Sequence, residues 1–163
     1  MQLAEKNQQL IQVFFTAFAN KDLDTMLDCY HKNVIYDDVG FGKQEGEKAK
    51  KVWRFLIQNV DKNAIITFSN IQISASTGQA NWTTKYTFGK RKITNQITAT
   101  FRFQDGKIIY HKDDYSLWKW SQQAFGLIGF LIGWLPLFRW LIRWQMQRNL
   151  QRFVKNELDS SQM

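Results

Sequence analysis

The densest group of ionisable side chains on an otherwise apolar face follows the Asp105-Gly106 turn, in GKIIYHKDDYSLWKWSQQAFG (106–126). Read as a strand of period two, this stretch puts Ile109, His111, Asp113 and Tyr115 on one face and Tyr110, Lys112 and Asp114 on the other. A histidine and a carboxylate two residues apart on one face can move protons to and from one substrate. A further carboxylate, Asp38, stands beside Asp37 in NVIYDDV (33–39), and period two sends only one of that pair inward. Facing an apolar interior, Asp38 would be desolvated and become a usable general base. In the alternative reading its carboxylate caps the turn toward Gly40 through backbone N–H groups. His111 has a similar alternative, as a core histidine bonded to a carbonyl or to Asp113. Ionisable groups among apolar neighbours are costly to bury without purpose, which favours a pocket. With two histidines and one cysteine in the chain, no metal-ligand spacing is formed. Phosphate loop and nucleophile elbow are absent too, so neither metal nor cofactor is expected.

These residues need elements to hold them. Leu3, Leu10, Ile11, Phe14, Phe15 and Phe18 fall at helical spacings and predict a helix over 3–19. Asp22 or Asp24 caps a second, short helix running to about Tyr30. The strand 33–39 follows, then a turn rich in glycine (Gly40, Gly42, Gly46), then a helix over 45–60 whose apolar stripe includes Ala49, Val52, Trp53 and Leu56. Residues 64–76, 79–88 and 91–104 read as strands, the last two joined by a Gly89-Lys90 hairpin. Ala80, Trp82, Thr84, Tyr86 and Phe88 share one face of the second, and Ile93, Asn95, Ile97, Ala99, Phe101 and Phe103 one face of the third. The strand carrying His111 completes the meander. Helices segregated from an antiparallel sheet define an α+β fold: a cone-shaped curved sheet packed against three N-terminal helices. Phe14, Phe18, Tyr36, Trp53, Trp82, Tyr86 and Tyr115 are the candidate walls of a ligand pocket, with core packing the alternative role for such rings.

Length and composition bound the reading. A chain of 163 residues suits one domain with an appendage. The single cysteine, Cys29, excludes an internal disulfide and fits a reducing, cytoplasmic compartment. The N-terminus is polar, with no apolar segment of the kind a secretory signal carries. A net charge of +8 favours anionic surfaces.

The order of elements, the segment FFTAFANKDLDTMLDCY, the YDD at 36–38 and the spacing of Gly106, His111, Asp113, Gln123 and Gly126 resemble the nuclear transport factor 2-like superfamily, which includes ketosteroid isomerases and SnoaL-like cyclases. The resemblance spans roughly residues 5–126 and implies the cone fold. In ketosteroid isomerases the general base ends the short strand, where this chain has Asp38. Their oxyanion donors fall at Phe14 and Ala99 here, and neither side chain can donate a hydrogen bond. Steroid isomerisation is therefore not expected. SnoaL-like cyclases place a His and an Asp acid/base pair around the pocket, a pattern matched by His111 and Asp113. With the outward Thr, Lys and Gln face of strands 79–104, the resemblance also implies a homodimer.

From residue 123 the composition changes. No charge occurs from Ala124 to Phe138, and Arg139, Arg143, Arg148, Arg152 and Lys155 follow, interleaved with Trp140 and Trp144. The uncharged run is too short to span a bilayer and contains Pro136. A helix to about Ile132, a bend at Gly133–Pro136 and a basic second helix would lie in one leaflet, anchored by Trp134, Arg139, Trp140, Arg143 and Trp144. Helices folded onto the domain or onto a second subunit are the alternative. Nucleic acid is not an expected partner, since a long uncharged run serves no phosphate contact. The chain thus divides into a pocket domain (1–122) and an apolar-then-basic tail (123–163). The expected function is binding of, or acid/base chemistry on, a small apolar molecule, with the protein peripheral at the inner face of a membrane. Isomerisation, cyclisation or hydration would use Asp38 as base and His111 and Asp113 as a second pair. The alternative is a non-catalytic dimeric binding or scaffold module.

Overall fold

The structure is a computed structural model and describes residues 2–160. Twelve elements follow one another among these residues: α1 (Gln2–Ala19), α2 (Leu23–Asp28), β1 (Tyr30–Asp38), β2 (Gly42–Glu45), α3 (Glu47–Asn59), β3 (Ile65–Ile73), β4 (Thr77–Phe88), β5 (Arg91–Gln104), β6 (Lys107–Asp114), α4 (Leu117–Phe125), α5 (Leu127–Ile132) and α6 (Pro136–Ser160). The strands form one sheet in the order β2-β1-β6-β5-β4-β3. It is α+β, as expected. The meander β3 to β6 is antiparallel throughout, whereas β1 joins the sheet parallel to β6. That pairing sets Tyr36 beside His111 and Asp38 beside Asp113.

Three boundaries differ from the sequence reading for local reasons. The second helix stops at Asp28, and Tyr30 already belongs to β1, because Ile108 N–H bonds Cys29 C=O and draws the chain into the sheet. The glycine-rich turn contains a short strand, β2, on the sheet edge. The strand read over 64–76 alternates poorly because Asn70 adopts φ 52° and shifts the register between Ser69 and Gln72. A further shift, opposite Arg102 and Phe103, corrects the face assigned to Ile109. Ile108 is fully buried and Ile109 only half-buried, since the extra residue interrupts the period of two before His111.

The core lies between the inner face of the sheet and α1, α2 and α3. Its largest members, Phe14, Phe15, Tyr36, Phe41, Trp53 and Phe101, are almost completely buried. The tail adds to this core. Leu150 of α6 belongs to the same cluster, with Met146 and Val154 packed against it, and Phe153 meets Phe55 of α3 edge-on. The composition boundary at 122/123 falls inside α4, which starts from Ser116 as N-cap and pairs with β5 through Gln123 and Thr94.

The α4–α5 joint turns at Gly126 (φ 63°) and closes tightly. Ser121 Oγ donates to Gly129 C=O, and a Cβ on Gly129 would lie 1.9 Å from the Ser121 carbonyl oxygen. The GxxxG of Gly129 and Gly133 thus serves close packing within the chain, against Ser121. Among the described residues no helix is long and apolar enough to cross a membrane.

Because Leu150 is buried in the shared core, Leu150→Ala is expected to lower stability by about 2–4 kcal/mol in urea unfolding. Leu158→Ala, exposed on the same helix, should change it by no more than about 0.5 kcal/mol. Equal effects would show that α6 does not pack on the domain.

Candidate functional site

A cavity of about 350 Å³ opens between the sheet, α3, α4 and α6. Phe18, Tyr36, Phe41, Trp82 and Ile97 form its inner wall, Phe55 and Leu56 come from α3, Leu117 and Trp120 from α4, and Ile142 and Met146 from α6. Of the candidate walls, Phe18, Tyr36, Trp82, Tyr86 and Tyr115 line it. Phe14 and Trp53 do not; they pack around His111, with Trp53 stacked on its ring at 5.7 Å.

Two carboxylates line this space: Asp61 sits at its exposed rim, held by the backbone N–H groups of Asn63 and Thr87, and Asp38 is the buried one. It ends β1, is 8 % exposed and lines the cavity. Its Oδ1 accepts from Gly40 N–H at 2.7 Å and Phe41 N–H at 2.8 Å, while no described hydrogen bond reaches Oδ2. One oxygen therefore caps the turn and the other is left for a ligand, so the two sequence readings meet in one side chain. Burial pushes the carboxyl up to about 7. The two N–H bonds oppose the rise, and the nearby Asp113 and Asp37 charges add to it. Such a group is half ionised near neutral pH and can both take and return a proton.

Helix α6 holds the same turn from outside. Arg143 Nε donates to Val39 C=O at 2.9 Å, Gln147 Nε2 donates to Phe41 C=O at 3.3 Å, and Met146 lies against Gly40.

His111 and Asp113 lie one layer deeper. Both are buried, and neither lines the cavity. The Asp113 carboxylate accepts from Tyr36 Oη at 2.9 Å on Oδ2, and on Oδ1 from Trp82 Nε1 at 3.0 Å and His111 Nε2 at 3.0 Å. Tyr30 Oη stands 2.7 Å from His111 Nδ1. A neutral imidazole satisfies every partner: Nε2–H donates to Asp113, and Tyr30 O–H donates to Nδ1. Tyr36 and Trp82, which do face the cavity, are thus held by Asp113 from behind.

Two phenols add donors to the wall. Trp120 Nε1 donates to Tyr86 Oη at 2.7 Å, which leaves the Tyr86 O–H free to donate. Burial, and then the charge of Asp38, pushes Tyr115 well above the usual phenol range, so it stays protonated as a donor. Phe14 and Ala99, the positions of oxyanion donors by resemblance, are fully buried apolar residues off the cavity. Sequence reasoning missed Phe41, Asn95, Ile97 and the α6 contribution. The inward set of β5 had signalled Asn95 and Ile97, but nothing in the alternation told pocket from core. Trp134, Arg139, Trp140, Arg143 and Trp144 all stand exposed on the tail. No cluster of metal-ligating side chains occurs among the described residues.

The SnoaL-like domain matches residues 11–111 of the chain. No curated protein matches it. Among solved structures, an LEH-like epoxide hydrolase of M. tuberculosis superposes with a TM-score of 0.64 at 18 % identity, covering 79 % of this chain and 97 % of that one. TerC, co-crystallised with polyporic acid, gives a TM-score of 0.64 at 15 % identity over 73 % of this chain and 98 % of its own. A protein of ketosteroid isomerase-like fold from Catenulispora acidiphila, in complex with trimethylamine, gives 0.61 at 13 % identity over 71 % and 91 %. At these identities the likeness is one of fold.

The raised carboxyl of Asp38 has a thermodynamic consequence. Between about pH 4 and 7 the folded protein holds a proton that the unfolded chain has released, so this group makes stability fall with rising pH and level off above 7. Asp38→Asn retains an oxygen for the two N–H groups and does not titrate. Its stability relative to wild type should climb across that window by up to roughly 4 kcal/mol, read by urea unfolding at several pH values. A difference that stays flat with pH would mean that Asp38 is not desolvated.

Proposed function

The chain belongs to the SnoaL-like domain family, and from that premise we propose that it binds a small apolar molecule in the cavity and acts on it by proton transfer at Asp38. The observation that carries the reading is one carboxyl, raised to about 7, facing an apolar cavity of about 350 Å³ with Tyr86 and Tyr115 as donors. The volume suits a one- or two-ring molecule. Asp38 Oδ2 removes a proton next to a carbonyl, a phenol stabilises the resulting enolate oxygen, and the carboxyl returns the proton elsewhere. Isomerisation and cyclisation share this core step. His111 and Asp113 act from behind the wall, orienting Tyr36 and Trp82 and holding a negative charge near Asp38. Proteins of the same fold that act on an epoxide, or that were crystallised with polyporic acid or trimethylamine, support small-molecule recognition.

Two finer features belong to this reading. The outward Thr, Gln and Lys side chains of β4 and β5 offer a sheet-to-sheet homodimer, expected as a doubled mass in light scattering at micromolar concentration; a strict monomer there would overturn it. The exposed Trp134, Trp140 and Trp144 and the basic residues beside them support a tail that holds the protein peripheral at the inner face of a membrane. A non-catalytic binding module is the rival, favoured by the apolar residues at Phe14 and Ala99.

The discriminating experiment is deuterium exchange at the carbon next to the carbonyl of 1-indanone, followed by NMR in D2O. Wild type should accelerate exchange with a single rise through about pH 7, as the base form appears. Asp38→Asn should lose at least about a hundredfold of that rate, while binding of the apolar fluorophore N-phenyl-1-naphthylamine persists. Binding without exchange would establish the rival. Absence of both, or equal binding by an Ile97→Phe variant that fills the cavity, would overturn the pocket reading.

A further inference from the structure

Helix α6 presents two faces of opposite purpose. At 3.6 residues per turn, Phe138, Ile142, Met146 and Leu150 fall on the side turned to the domain, where Ile142 and Met146 line the cavity. The opposite side carries Leu137, Trp140, Leu141 and Trp144 over its first turns, then Arg148, Gln151, Arg152 and Lys155. The outer face is therefore apolar in its first half and basic in its second.

Helix α5 extends the apolar half. Leu127 is 74 % exposed, Trp134 67 %, Leu137 64 % and Trp140 58 %, with Ile128, Phe130 and Leu131 open beside them. So many large apolar side chains left exposed within one short stretch of chain mark an interaction site. The surface is preformed: Ser121 Oγ bonds Gly129 C=O, and Trp118 Nε1 bonds Phe130 C=O across the same joint. No Asp or Glu occurs between Asp114 and Glu157, while Lys119, Arg139, Arg143, Arg148, Arg152 and Lys155 all do. Apolar area, tryptophans at its border and basic residues beyond it complement acyl chains, the interface and anionic headgroups in turn. A second copy fits less well. Paired antiparallel, it sets the basic half on the apolar half; paired parallel, it sets like charges together.

We infer that the outer face of α5 and α6 docks on an anionic lipid bilayer, and that the molecule taken into the cavity is an apolar compound dissolved in that bilayer. The second half rests on the pocket reading above. The thickness of one helix separates lipid from cavity, because the helix that meets the bilayer also roofs the site. Among the described hydrogen bonds, two join α6 to the β1–β2 turn, from Arg143 to Val39 and from Gln147 to Phe41. Tilting α6 toward the lipid releases Ile142 and Met146 from the roof and opens the cavity on the membrane side.

The test uses the full chain, vesicles of phosphatidylglycerol and phosphatidylcholine, and N-phenyl-1-naphthylamine as cargo. The wild type should float with the mixed vesicles, weakly with phosphatidylcholine alone, and less as salt is raised. Trp140→Glu with Trp144→Glu, both on the outer face, should abolish flotation and slow transfer of the fluorophore from loaded vesicles by about tenfold, with its binding in vesicle-free solution unchanged. Arg148→Gln with Arg152→Gln and Lys155→Gln should lose the salt-sensitive part alone. Wild type that does not float, or outer-face variants that transfer like wild type, would overturn the inference. A wild-type dimer that the glutamate variants split, without flotation, would assign the face to a second copy and overturn it too. Failure of the fluorophore to bind without vesicles would instead count against the pocket reading, leaving flotation to decide the docking.

Discussion

The buried carboxylate of Asp113 is the charge around which the interior is arranged. An ionised group taken fully out of water costs several kcal/mol unless its lone pairs are met by donors. Here three side chains meet it, from three strands: Tyr36 of β1, Trp82 of β4 and His111 of β6 itself. Each of those rings is also a core or wall element, so satisfying the charge simultaneously sets the orientation of the aromatic interior. His111 passes the chain on to Tyr30 and is enclosed by the rings of Phe14, Trp53 and Phe101. Removing Tyr36, His111 or Tyr30 takes away the one described bond of a buried atom (Asp113 Oδ2, Tyr30 Oη or His111 Nδ1), which makes this network costly to alter piecemeal.

The same charge reaches the candidate site. Asp38 and Asp113 are register partners across the parallel β1–β6 pair, and the Asp113 charge is one of the causes that raise Asp38. Desolvation remains the larger cause, and it depends on closure of the cavity by α3, α4 and α6. A helix of the tail thus takes part in the acidity of a residue about a hundred positions earlier, through Met146 at Gly40 and the bond from Arg143 to Val39. The tail is a structural layer and an exposed surface at once, which is why its composition is neither that of a core helix nor that of a solvated one.

Much of the fold was legible in the chain. Alternation in 79–88 and 91–104, helical spacing in 3–19 and 45–60, and the Gly89-Lys90 turn report on side-chain direction, which the local backbone dictates residue by residue. Asp38 as the inward member of its pair followed from the same rule, as did the inward side of His111 and Asp113. Where the rule lapsed, a bulge was the cause: at Ile109, and again at Asn70, one extra residue reset the face without any local signature in the side chains.

Depth and partnership were another matter. Alternation says that a residue points inward, but not whether it stops at a cavity or behind a ring. That difference separates Asp38 from His111, and it is decided by Tyr36 and Trp82 standing between cavity and network. Neither could the composition of the tail say what it covers, because apolar residues suit lipid, a second subunit and the chain's own core equally well. Only the packed structure divided α6 into Ile142, Met146 and Leu150 toward the domain and Leu137, Trp140 and Trp144 away from it. The sequence by itself determined the elements and their faces, since these depend on backbone geometry within a few residues. The tertiary structure alone decided which faces meet, since that depends on contacts between side chains far apart in the chain.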